Sequence, residues 1–507
     1  MLMPQIPTAP VAAQTITEWA ASYPTLAALL ESGLAPAQAA LRWGLQLLKA
    51  SAAADAILVF RAAAALDPND ASIWTNLGVA LDRTGASAEA ALCLLRALTL
   101  APQQADTWLL LGVVRGKLGD NAGAEVALRT SIDLKPDSAT AWQCLALLKE
   151  RQRDYAGAID CLGACVALGE RSAAILANLG KLYYQTGRLQ EAHDAYERAV
   201  RADASNPHFE RMFRKARFLR DVLIGATVDG ALATYMDHLD PLGAVEAREQ
   251  MAWLETAAGL LSGWGHLEPA IRVCRKQLEL VPSSASARYL LDVLEGAPGL
   301  SRAPDTYIAE SFDAFAEGFD AQLVGVLGYD VPQQLCSLLL SQLEAGRKYA
   351  VLDAGCGTGL CGLLLRPIAT ALVGVDLSKK MLEMSERRAV YDELVREELT
   401  EYLGSQPGRF ELIAAADVLL YFGDLGPLFK KSAVAMRPNG LLALSIELLE
   451  GEGDFRVLSS GRFAHAPGYV LRLAEEQFEL VRTVDTTLRL DLHGRVPGTL
   501  FLFRRRA

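Results

Sequence analysis

One short pattern returns at a fixed interval through the first part of the chain: Leu66-Asp67-Pro68, Leu100-Ala101-Pro102 and Leu134-Lys135-Pro136 fall into register, and Leu168-Gly169 and Ala202-Asp203 keep the phase. Trp74, Trp108 and Trp142 align, as do Leu77, Leu111, Leu145 and Leu179, and the alanines at 90, 124, 158 and 192. A fixed period of this length means one helical unit stacked on copies of itself, because a single unit cannot bury its own apolar face. Each recurring residue type has a task. Gly78, Gly112, Gly180 and the alanine column let two helices cross closely. Gly85, Gly119 and Gly187 end the first helix of a pair, and the prolines fix the turn into the next unit. The aligned tryptophans and leucines read as packing between helices.

This pattern is similar to the tetratricopeptide repeat, a helix-turn-helix of about 34 residues. Four good copies run from about 70 to 205, after one degenerate copy in which Trp43-Gly44 and Ala56 hold weaker versions of the key positions. A divergent helical stretch continues to 297, with an outlying copy at Trp253 to Pro282. The organisation expected is a loose Pro-rich lead-in at 1–12, a repeat-like helical domain at 13–297, a turn-rich linker at 298–305 and a second domain at 306–507. A repeat solenoid makes a concave groove that suits an extended peptide or another protein. Asn76, Arg115, Lys149 and Lys181 are candidate groove positions.

The second domain is organised around Val351-Leu352-Asp353-Ala354-Gly355-Cys356-Gly357-Thr358-Gly359-Leu360, an apolar run broken by three alternate glycines. It reads as a strand, a tight turn and a helix start. Glycines at 355, 357 and 359 permit positive φ and leave bare backbone for a ligand to lie against. The N–H groups of the following helix point into the same space. A dinucleotide site wants G-x-G-x-x-G, and this chain has G-x-G-x-G with Asp353 two residues before the first glycine. Val373-Gly374-Val375-Asp376 then supplies a second strand ending in an acid placed to accept both hydroxyls of a ribose.

These residues resemble the class I S-adenosylmethionine-dependent methyltransferases, whose first motif is a hydrophobic pair, an acid and G-x-G-x-G. The resemblance implies a Rossmann-like domain of seven mixed strands with an antiparallel hairpin at its C-terminal end. Strand-like and helix-like pieces do alternate after 359, and Phe478 to Leu490 with Gly498 to Arg504 read as a hairpin joined through His493-Gly494-Arg495. The implied cofactor is S-adenosylmethionine, leaving as S-adenosylhomocysteine. Its implied contacts are Asp353, Gly355, Cys356, Gly357, Gly359, Asp376, Leu377, Asp417 and an acid after the third strand, Glu398 in preference to Glu397. Residues 306–330 hold aromatics at mostly helical spacing; packing explains them, and the resemblance adds a candidate lid, with Tyr307 and Phe319 over the cofactor. Ser378 reads as a helix cap.

Ser311-Phe312-Asp313, Asp376-Leu377-Ser378, Ala415-Ala416-Asp417-Val418, Ser445-Ile446-Glu447 and Ser460-Gly461-Arg462-Phe463-Ala464-His465 carry a closer likeness to methyltransferases with N-terminal tetratricopeptide repeats. Methyl transfer from a sulfonium is an in-line displacement that depends mainly on alignment and exclusion of water. Candidate catalytic residues are Tyr421, which suits either the adenine or the acceptor pocket, together with Glu447, Arg462 and His465. His465 has the ordinary pKa of a general base. Arg462 is shaped to pair an acceptor carboxylate in bidentate fashion.

Composition bounds the rest. A net charge of −11 over 507 residues argues against nucleic-acid backbones as partners. No run of 18 apolar residues suggests a membrane span, and no basic residue precedes Arg42 as a targeting segment would require. Eight scattered cysteines fit reduced thiols in a cytoplasm, and the sparse histidines offer no metal set. Three readings follow: a methyltransferase (N- or O-methylation) whose repeats recruit a peptide or protein acceptor; an enzyme for a small metabolite whose repeats serve a partner or a homodimer; and a scaffold without catalysis.

Overall fold

The computed structural model describes residues 8–236, 243–320, 329–491 and 494–507, without the side chains of 243–248. The chain divides into two compact units, 1–213 and 214–507. Residues 1–7 of the expected lead-in, 321–328 of the candidate lid and His493 lie outside the described residues.

The first unit is helical throughout. Its four regular pairs are Ala71–Arg83 with Ser87–Leu100, Ala105–Lys117 with Asn121–Leu134, Ala139–Arg151 with Tyr155–Ala167, and Ala173–Gln185 with Leu189–Ala202. The degenerate copy is Pro36–Lys49 with Ala53–Leu66. Ahead of it Ala9–Ser22 is helical, so the end of the supposed loose segment is ordered; Pro10 occupies the first turn, where its missing N–H costs nothing, and alanines follow. The small-residue column behaves as its spacing implies. A β-carbon on Gly78 would stand 2.8 Å from Leu94 Cγ, on Gly112 2.6 Å from Leu128 Cγ, and on Gly180 2.9 Å from the Tyr196 ring.

The tryptophan column departs from simple core packing. Trp74 is buried, but Trp108 and Trp142 are only half-buried. Each indole N–H donates to the carbonyl of a turn proline: Trp74 to Pro68 at 2.9 Å, Trp108 to Pro102 at 2.8 Å, Trp142 to Pro136 at 3.1 Å. The ring covers apolar surface while its polar edge satisfies a carbonyl of the turn between units. The two sequence columns, tryptophan and proline, are therefore one device.

The second unit begins within the helices that the sequence groups with the repeats. Val228–Met236, Gly243–Gly263, Leu267–Leu280 and Ala285–Leu294 belong to the same compact body as the sheet. Periodicity identifies helices but not the body they pack with. Tyr289 donates to the Gly461 carbonyl at 2.8 Å and Ser262 to that of Ser459 at 2.5 Å. The turn-rich stretch at 298–305 is pinned to the sheet domain as well, since Ala303 N donates to Tyr421 O and Gly423 N to Ser301 O.

Among the described residues the sheet has nine strands: β1 (Tyr349–Ala354), β2 (Ala369–Asp376), β3 (Glu393–Arg396), β4 (Phe410–Ala415), β5 (Met436–Leu448), β6 (Phe455–Val457), β7 (Phe463–His465), β8 (Phe478–Asp491) and β9 (Gly494–Arg505). Strands β3-β2-β1-β4-β5 are parallel in that order; β9 runs antiparallel to β5, and β8 antiparallel to β9. These are the seven strands expected. The short β6 and β7 are additional, with β7 paired to the end of β5 at Glu447 and Leu448. Strand order reverses between β1 and β4, so a crevice opens over the carboxyl ends of those two strands.

Gly112→Ala should destabilise the repeat unit by about 1–3 kcal/mol, because its new methyl overlaps Leu128 in a packed crossing. Urea unfolding checks this by a lower midpoint at unchanged slope; an unchanged midpoint would show that the helices do not cross closely there.

Candidate functional site

A cavity of about 630 Å³ opens over the carboxyl ends of β1, β2 and β4, within the range of small-molecule sites. Its floor is the glycine turn. Gly355, Gly357 and Gly359 have φ of +67°, +54° and +90°, values that side-chain-bearing residues rarely adopt. A β-carbon on Gly355 would stand 2.3 Å from Val418 Cγ2, whereas one on Gly357 would meet nothing within 4 Å. The middle glycine thus presents bare backbone to open space. Gly359 does not line the cavity; its hydrogen faces Ser385, Arg388 and Tyr391, and it serves packing against the next helix. The helix after the turn, Leu360–Leu365, has only six residues, so its dipole contributes less than the sequence suggested.

Asp376 ends β2 and holds the turn. Its Oδ2 accepts from Gly357 N at 2.9 Å and its Oδ1 from Ser378 N at 2.8 Å. Burial pushes its carboxyl above the ordinary range despite those amide bonds. Asp353 lines the cavity but accepts from the Tyr391 hydroxyl at 2.6 Å; burial lifts it to about 7. Tyr391 therefore anchors the strand end beneath the turn, a role the sequence did not reveal. Leu377 and Cys356 also line the cavity. Glu398 lines it too, and caps the helix Leu399–Ser405 by accepting from Glu401 N at 2.9 Å, with Arg302 at 3.2 Å from its other oxygen.

The aromatic segment is tied down by two carboxylates. Asp313 accepts from Ser378 Oγ at 2.5 Å and Lys380 N at 3.1 Å; Asp320 accepts from Thr358 Oγ1 at 2.6 Å and pairs with Arg388. Ser378 in turn caps its own helix through Met381 N at 3.1 Å. Tyr307 and Phe319 both face the cavity. Tyr307 packs on Tyr289 at 4.6 Å, and burial raises its hydroxyl to about 12.

The remaining wall is polar. Asp417 has φ of +54°, accepts from Ser445 Oγ at 3.0 Å, and is lifted above its ordinary range by burial. Tyr421 packs edge-on to Phe312 at 5.6 Å, and the Arg462 guanidinium approaches its hydroxyl. Both Tyr421 and Arg462 line the cavity. Glu447 does not: it is 2.5 Å from Arg489 Nη2, and Arg489 is the partner on the cavity wall. Arg489 lay unrecognised in the hairpin sequence because its surroundings come from strands distant in the chain.

His465 is not in the cavity. It is fully buried, donates from Nε2 to the Gly423 carbonyl at 3.2 Å and stacks on Tyr469 at 6.3 Å. Burial depresses it to about 4, so it is neutral near pH 7 and packed away from any acceptor. The residue type suggested a base, and its burial removes that role.

Residues 352–444 match the family model for a methyltransferase domain. Residues 41–105, 105–138 and 144–207 match models of the tetratricopeptide repeat. Among curated proteins the chain is similar to a malonyl-[acyl-carrier protein] O-methyltransferase of Pseudescherichia vulneris, 28% identical over 27% of this chain and 52% of that one. It is also similar to a ubiquinone biosynthesis O-methyltransferase of Thiobacillus denitrificans, 29% identical over 20% and 44%. The chain thus spans about half the length of these relatives. A crystal structure of the 1,6-didemethyltoxoflavin-N1-methyltransferase of Burkholderia thailandensis aligns at a TM-score of 0.33 with 18% identity, covering 40% of this chain and 91% of that one. No helix among the described residues is long and apolar enough to cross a membrane.

His465 also predicts a pH dependence. With its folded pKa at about 4 and an unfolded value near 6.5, the unfolded chain gains a proton first as pH falls, so stability declines between about 6.5 and 4. His465→Phe should flatten that decline by up to about 3 kcal/mol in urea titrations across the window. An equally steep decline in the variant would contradict the assignment.

Proposed function

We propose that this chain, which carries a methyltransferase domain preceded by tetratricopeptide repeats, transfers a methyl group from S-adenosylmethionine to an acceptor borne on a peptide or protein. The cavity fits the cofactor on its own evidence. Gly357 offers open space where a side chain would stand, and Asp376, fixed by two backbone amides, keeps lone pairs for a pair of ribose hydroxyls. That juxtaposition of bare backbone and half-buried carboxylate carries the reading. Bound there, the cofactor would supply an electrophilic methyl on a sulfonium.

The chain's own residues have the tasks of holding, aligning and drying. Asp376 and the turn seat the nucleoside, with Leu377 and Glu398 beside it. The aromatic segment of Tyr307, Phe312 and Phe319 covers the cavity, and excluding water there strengthens every polar contact inside. Asp417 and Tyr421, at the exit of β4, face the crossing point between donor and acceptor. Alignment is worth far more than acid or base help in a displacement of this kind.

The repeats support a protein-borne acceptor, since stacked helical pairs serve as docking surfaces for extended chains. The name of one relative likewise attaches its O-methyl acceptor to a carrier protein. Asp376→Asn should weaken S-adenosylhomocysteine binding about tenfold to a hundredfold by isothermal titration, as loss of a charge-assisted pair of hydrogen bonds implies. Unchanged affinity in a variant that keeps the wild-type melting temperature would refute the site.

A further inference from the structure

Two arginines stand on the cavity wall across the strand-order reversal from Asp376, Arg489 buried and Arg462 half-buried. Asp376 closes β2 and Glu398 follows β3, on one side of the strand-order reversal; Arg462 immediately precedes β7 and Arg489 lies on β8, on the other. Arg489 is 5% exposed, with Nη2 on Glu447 at 2.5 Å and Nη1 3.9 Å from Asp417. Its Nε and Nη1 have no hydrogen-bond partner among the described residues. Arg462 has the weaker charge partners of the two. Among the described residues no carboxylate comes within ion-pair distance of it, and Glu447 and Asp417 act on it only from farther off. What it meets is the hydroxyl group of Tyr421, with that of Tyr307 farther off.

A half-buried cation that lines a cavity without a close counter-ion is placed to receive an anion. This one is also held in place. Tyr289 bonds the carbonyl of Gly461, next to Arg462, and Ser262 bonds that of Ser459, so two helices fix the loop that presents the guanidinium. Gly461 sits at φ +78°, with Tyr289 and Tyr307 closing on it. The cavity lining also holds an apolar and aromatic group, Ile308, Phe312, Phe315 and Tyr329.

Building on the methyltransferase reading, we propose that the methyl acceptor is a carboxylate on an apolar stem, seated against Arg462 with Arg489 beside it and converted to its methyl ester. The step balances without a base. A carboxylate oxygen donates an electron pair to the methyl carbon, the carbon–sulfur bond breaks, and its pair returns to sulfur as the neutral thioether. The negative and positive charges are consumed together and no proton moves. An acceptor of this class needs no base, in keeping with His465 packed away from the cavity.

The test uses the full-length chain saturated with S-adenosylhomocysteine and titrated with octanoate or octanamide, probes that share a stem and differ in charge. Octanoate should bind about tenfold or more tightly than octanamide, as a charge-assisted pair implies. Arg462→Gln should erase that preference and Arg462→Lys should keep part of it, with S-adenosylhomocysteine affinity unchanged in both. Equal binding of the two probes by wild type, or no octanoate binding at millimolar concentration, overturns the proposal and leaves the cofactor reading standing. If Arg462→Gln instead loses S-adenosylhomocysteine affinity tenfold while 5′-methylthioadenosine, which lacks the carboxylate, binds as before, the arginine serves the cofactor and the proposal falls. A wild type that binds no S-adenosylhomocysteine defeats the reading underneath.

Discussion

The hydrogen bond from the Gly357 amide to the Asp376 carboxylate, 2.9 Å long, sets the geometry on which the second unit depends. It joins the turn after β1 to the end of β2, and it forms only because three alternate glycines allow the backbone to run through positive φ. The same carboxylate reaches Ser378 N, and Ser378 Oγ reaches Asp313. One acid thus links the floor of the cavity, the helix beyond β2 and the aromatic segment above. Burial raises the carboxyl, so the arrangement is retained against its own electrostatic cost.

Around that bond the cavity is asymmetric. On the β1 to β3 side, backbone and carboxylates dominate, a surface for a polar nucleoside. The β5 to β8 side adds Arg462 and Arg489, which in the proposed reading receive an anionic acceptor. The helices from Gly243–Gly263 to Ala285–Leu294 contribute to this second side, through Glu255 and Thr256 on the wall and through Tyr289 and Ser262 behind the Arg462 loop. In the proposed reading, acceptor choice is therefore shaped by segments outside the methyltransferase motif itself.

The legible parts of the sequence were those whose signal is local. Asp353, the three glycines and Asp376 sit close together along the chain and announce a strand, a turn and a strand end by spacing alone. The repeat was legible because its successive copies check one another, down to the glycines that face Leu94, Leu128 and Tyr196. What was hidden depended on tertiary neighbours. Arg489 looks like an ordinary hairpin residue until β5 places Glu447 beside it. His465 looks like a base until Phe455 and Tyr469 enclose it. Strands β6 and β7, three residues each, are too short to show alternation. The helices after 213 carry the same periodicity whichever unit they join, so the boundary placed at 298–305 rested on turn formers that in fact bond to the sheet domain.

A crystal structure of the chain grown with S-adenosylhomocysteine tests the account most directly. It should show the ribose hydroxyls on the Asp376 carboxylate, the ligand lying against the backbone at Gly355 to Gly357, and the Arg462 guanidinium still facing free space beyond the sulfur. Ligand density anywhere else, or a refined cavity filled by Phe312 and Phe319, would contradict it.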